Sequence, residues 1–184
     1  MALGRSNTVA VCVDAVLEPK LHIDSAGEHR WYIGNQLHRL SGPAYIGADG
    51  REEWYVNGVR HRLDGPAIIQ RTGEHAWWIN GVRHRLDGPA YIGSTGRRVW
   101  YVMGQRHRLD GPAYIGADGR EEWWVMGQRH RLDGPAVVGS DNSIIAWYIL
   151  GLHMTSQIET WMEAHDVTWP WDAATQLQFT LTWG

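Results

Sequence analysis

The stretch Gly-Val-Arg-His-Arg-Leu-Asp-Gly-Pro-Ala at residues 58–67 returns unchanged at residues 81–90 and with one substitution at residues 104–113 and 127–136. A looser copy at residues 34–44 ends in Ser-Gly-Pro-Ala, and His38, His61, His84, His107, His130 and His153 stand a constant 23 residues apart. A strict period of this length means an array of small supersecondary units, each of which buries its apolar side only against its neighbours. Few other folds are compatible with it.

Within one period, Asp49-Gly50 separates two apolar runs and Asn57-Gly58 follows the second. Both pairs are strong hairpin signals, because a type I′ turn requires positive φ at two successive residues. The proline of Gly-Pro-Ala has no amide donor, which places it at the first residue of a strand. Each unit therefore reads as a hairpin that begins after Gly-Pro. A two-residue turn at Asp49-Gly50 sets Tyr45 opposite Trp54 and Ile46 opposite Glu53. By alternation, Tyr45, Trp54 and Val56 then share one face, and Ala44, Ile46 and Tyr55 the other.

Stacking the units produces two aromatic columns. Trp31, Trp54, Trp77, Trp100, Trp123 and Trp147 form an invariant one, expected to be the packed side, where Trp77→Ala would cost about 3–5 kcal/mol. Tyr32, Tyr55, Trp78, Tyr101, Trp124 and Tyr148 form the second, expected to be in part exposed. The fold class is thus mainly all-β, an elongated array of stacked hairpins. At about 10 Å per two-stranded unit it should span on the order of 50–60 Å.

Three segments follow from this. Residues 1–19 lie outside the repeat, and the β-branched run at residues 8–13 reads as a strand covering the first sheet edge. Residues 20–153 are the array, and residues 154–184 a C-terminal cap. In the cap, Ser156 and Glu159 have capping-box spacing, and Ile158, Trp161, Met162 and His165 fall on one side of a short helix. The alternation of Leu177, Phe179, Leu181 and Trp183 predicts a hairpin after it.

Composition narrows the function. Of 17 basic residues only Lys20 is a lysine, so the positive charge is almost all guanidinium, suited to planar and stacked contacts. A net charge of −3 gives no general attraction to nucleic acid or to an anionic membrane. The single Cys12 excludes an internal disulfide and fits a reducing compartment, and no long apolar run follows a basic segment, so a cytoplasmic protein is expected.

Units of strand, Asp-Gly turn, aromatic strand and Asn-Gly-x-x-His resemble the MORN repeats. Tyr55, Gly58 and His61 carry the resemblance over residues 20–153. Two differences stand out: arginine follows each His at Arg62, Arg85, Arg108 and Arg131, and Trp54 comes one place early. The His-Arg-x-Asp-Gly-Pro-Ala variant with its Trp-Pro-Trp-Asp tail is similar to uncharacterised repeat proteins of bacteriophages and large viruses. The resemblance implies stacked hairpins used for binding or scaffolding, and no reaction.

No nucleophile motif, phosphate loop or Cys/His dyad stands out, so no enzyme, cofactor or metal is expected. The repeated His is read as a shared structural hydrogen-bonding group, since no second ligand sits at metal spacing. Arg62 and Asp64, with their copies, are read as mutually neutralising. Arg60, Arg83, Arg106 and Arg129 have no carboxylate at matching offset, and Glu52, Glu53, Glu121 and Glu122 on the neighbouring strand are the candidates to pair with them across units. With Tyr55, Trp78, Tyr101 and Trp124 beside them, these four arginines form the candidate binding face. The reading is a non-catalytic, phage-encoded module that binds a host or viral protein in the host cytoplasm and has array ends suited to oligomerisation. The alternative is a sponge for an anionic nucleotide signal of host defence.

Overall fold

The computed structural model describes residues 17–184; the strand expected at residues 8–13 lies outside them. Twelve strands follow one another in a linear order without closure, and a thirteenth, Gln36–Leu37, pairs beside His29–Ile33. Eleven interstrand steps of about 4.8 Å make this sheet about 53 Å long, the expected elongated array.

Each period contributes two short hairpins. Tyr45–Ile46 and Glu52–Glu53 enter the long sheet, while Tyr55–Val56 and Val59–Arg60 form a separate two-stranded ribbon. Trp54 is the pivot between them: its N–H donates to the Ala67 carbonyl of the next unit, and its own carbonyl accepts from His61 N. Ribbons are joined in turn, Gly81 N donating to Arg60 O and Arg62 N to Trp78 O, and the same pair of bonds recurs at every step. Every unit is thus tied to the next along both rows, which is why a period this short can be stable only in series.

The first turn differs from expectation, and the difference propagates. Gly47 pairs with Arg51, so the loop has three residues, 48–50, of which only Gly50 has positive φ (80°). Asp49 stays at negative φ and accepts from Arg51 N through Oδ1. One extra loop residue shifts the register by one, and Tyr45 faces Glu53 while Ile46 faces Glu52. Tyr45, Glu53 and Tyr55 therefore share one face, and Trp54 lies with Ala44 and Ile46 on the other. The second turn is the two-residue type expected, with Asn57 at φ 50° and Gly58 at 77°.

Neither aromatic column is the core. Trp31, Trp54, Trp77, Trp100 and Trp123 are half-buried, as is the second column; only Trp147 is fully covered. The residues wholly withdrawn from solvent along the array are Ala44, Ala67, Ala90, Ala113 and Ala136. At full burial a longer side chain in any of these places would have to displace packed neighbours, which alanine avoids.

The C-terminal cap consists of two helices, α1 (Thr155–Ala164) and α2 (Ala173–Trp183), where a helix and a hairpin were expected. Period-two alternation misled. Leu177 and Leu181 are exposed, and α2 turns inward the stripe Gln176, Phe179, Thr180 and Trp183, at helical spacing. Asp172 caps α2 by accepting from Thr175 N at 2.8 Å, and this bond holds its carboxyl below the usual range. The capping box at Ser156 and Glu159 does not form. Helix α1 starts two residues earlier, behind Met154, and Thr155 Oγ1 accepts instead from Trp147 N. Ile158 and Trp161 face inward as expected, packing with Trp147 and Phe179.

Candidate functional site

The structure does assemble the residues singled out for the binding face. Tyr55 pairs with Arg60, Trp78 with Arg83, Tyr101 with Arg106 and Trp124 with Arg129 across successive ribbons. Each guanidinium also lies over the rings of a neighbouring unit. Arg60 is 5.3 Å from the Trp78 ring, Arg83 is 5.4 Å from Tyr101, and Arg129 is 5.2 Å from Tyr148. Rings and guanidiniums alternate as a continuous ladder.

Much of that ladder is already satisfied internally. Three of the four arginines find a carboxylate among the glutamates named as candidates, because Glu53 and Glu122 stand two residues before Tyr55 and Trp124 and so lie on the arginine face. Both glutamates are buried. Glu53 accepts from Arg60 Nε at 2.9 Å and from Tyr55 Oη at 2.8 Å, and is paired with Arg51. Glu122 accepts from Trp124 Nε1, is paired with Arg120 and Arg129, and has Arg106 Nη1 at 3.7 Å. Burial, together with the Glu53 carboxylate, pushes the Tyr55 phenol upward. Among the described residues, Arg83 alone of the four has no carboxylate partner.

The opposite side is more open. Arg62 lies flat on Trp54, with its guanidinium carbon 3.9 Å from the ring centroid, and the stack repeats at Arg39, Arg85, Arg108 and Arg131 at 3.8–4.2 Å. Arg62, Arg85, Arg108 and Arg131 each donate through Nε to an aspartate two residues on: Asp64, Asp87, Asp110 or Asp133. At Asp64, Asp87 and Asp110 that bond holds the carboxyl below its ordinary value. This is the mutual neutralisation expected. Between successive copies run grooves of about 620, 520 and 600 Å³, floored by a tryptophan and flanked by these arginines.

On the rim of every groove stands a leucine that sequence reading passed over. Leu40, Leu63, Leu86 and Leu109 are 79%, 78%, 80% and 80% exposed. A lone exposed leucine means little, but four at a fixed step form a row. Its signal was present, a single apolar residue held between arginine and aspartate or serine in each copy.

The fifth leucine behaves differently. Leu132 is half-buried beneath the C-terminal cap, and Gln176 of α2 donates to its carbonyl at 2.6 Å. Trp171 stacks on Trp147 at 5.1 Å, doing there what Arg131 does on Trp123. The cap therefore fills the last groove with indole rings and one helical face.

The histidine column is structural, as expected. His38, His61, His84, His107 and His130 each accept through Nδ1 from the backbone N–H of the next unit's type I′ turn at 3.1–3.2 Å. At Met103, Met126 and Leu150 the turn puts a side chain other than Asn or Gly at positive φ, a cost of roughly 1–2 kcal/mol each. The imidazole bond fixes that turn in place. Burial lowers the His130 pKa, which keeps its Nδ1 free to accept at neutral pH.

Among the described residues, no three His, Cys, Asp or Glu side chains gather as a metal site, and no helix is long and apolar enough to cross a membrane. No protein-family model and no curated protein matches the chain.

Proposed function

We propose that the array is a non-catalytic binding module that grips a protein partner along its leucine-rimmed grooves. The observation that carries this reading is the fifth leucine: there an apolar, indole-bearing segment and a helix are already seated on Leu132, Trp147 and the adjoining backbone. Four equivalent leucines offer the same rim without a cover. The stacked Arg–Trp pair supplies two of the residue types that dominate protein interfaces, and the leucine beside it adds apolar area. The resemblance to MORN repeats agrees with a binding or scaffolding role. The phage and viral character of the repeat variant makes a host or viral protein in the host cytoplasm the candidate partner. Protein is favoured over an anionic nucleotide because Arg60, Arg106 and Arg129 already face Glu53 or Glu122.

Leu63→Glu, Leu86→Glu and Leu109→Glu together should leave the fold intact, since all three side chains are exposed. The triple variant should keep its circular dichroism and melting temperature and lose the proteins that the native chain retains on an affinity support. Retention of the same proteins by both forms would refute the groove as the binding surface.

A further inference from the structure

One position in the ladder breaks its pattern. Residues 53, 76 and 122 occupy the same place in their units, each preceding by two residues an aromatic side chain and by seven an arginine that pair across a ribbon. Where that place is Glu53, one carboxylate oxygen accepts from Tyr55 Oη and Arg60 Nε. Where it is Glu122, one oxygen accepts from Trp124 Nε1 and Arg129 Nε. Where it is Ala76, the donors are still present as Trp78 Nε1 and Arg83 Nε. Both are buried, and neither has a hydrogen-bond partner among the described residues.

Val99 also interrupts the acidic pattern, but Arg106 of that unit has Glu122 of the next unit at 3.7 Å. Arg83 has no such substitute. Its guanidinium instead lies among three rings, Trp78, Tyr91 and Tyr101, at 5.0–5.4 Å. The surroundings of Ala76 are apolar, which strengthens the pull of an unpaired cation on any anion that arrives. A buried donor without an acceptor is unfavourable, and two on adjacent strands of one ribbon leave that place short of an acceptor. Glutamate and alanine differ by one methylene and one carboxylate, together the heavy atoms of acetate.

We propose that Trp78 Nε1 and Arg83 Nε, beside Ala76, form a binding site for a small carboxylate of acetate size, which takes the place that Glu53 and Glu122 fill in their own units. A planar carboxylate is favoured over a tetrahedral phosphate because an indole N–H and an arginine Nε at the same offsets already hold a carboxylate at Glu122, and a tyrosine hydroxyl and an arginine Nε hold one at Glu53.

The test is the indole N–H resonance of Trp78 in a ¹H–¹⁵N spectrum, assigned with Trp78→Phe and followed as acetate replaces chloride at constant ionic strength and pH. In the native chain it should move downfield and saturate. In Ala76→Glu it should start downfield and ignore acetate, because the side chain supplies the carboxylate itself. Glu122→Ala supplies an independent arm, in which the Trp124 indole should become acetate-sensitive. A flat titration of the native chain would overturn the site, leaving water as the acceptor. So would an equal acetate response in Ala76→Glu, and an equal response to phosphate would overturn its carboxylate selectivity.

Discussion

Trp147→Ala should lower the free energy of unfolding by about 3–5 kcal/mol. The side chain is 1% exposed, stacked on Trp171 and in contact with Phe179 within the cap's core, so its removal leaves a cavity that two short helices cannot close. Trp77→Ala, in the same column, should cost only about 1–2 kcal/mol, because half-buried indole surface is the main thing lost there. Urea unfolding of the two variants measures the difference. Equal losses would mean that the column is packed alike along its length, as the sequence alone suggests.

Glu122→Ala should be the second costly change, at about 2–3 kcal/mol. It strips the acceptor from Trp124 Nε1 and leaves the guanidiniums of Arg106, Arg120 and Arg129 facing one another. Those three side chains keep a third or so of their surface in water, which holds the loss below that of a fully buried broken pair. Glu122→Gln should recover part of the loss, since it can still accept from the indole. A neutral Glu122→Ala in thermal unfolding would contradict the role given to this carboxylate.

What was legible in the chain was the periodic part. The 23-residue step dictated a linear array, Asn57-Gly58 its type I′ turn, and Gly-Pro-Ala the start of each strand. Asp49-Gly50 was ambiguous, because Asp-Gly serves a two-residue turn and the end of a three-residue loop equally well. That single choice moved Tyr45 from the tryptophan face to the arginine face, beside Glu53. In the cap, Leu177, Phe179, Leu181 and Trp183 alternate like a strand, yet Ala173 and Ala174 behind an Asp172 cap favour a helix, and burial of Phe179 selected it. Leu63 and its copies escaped notice because exposure is settled by the units on either side, which no local pattern records.

The grooves are central to the account, open along the array and closed only at the end where the chain covers its own last copy. Carbene footprinting with mass spectrometry reads this directly. Leu40, Leu63, Leu86 and Leu109 should label alike and several times more strongly than Leu132. Uniform labelling of all five leucines would contradict it.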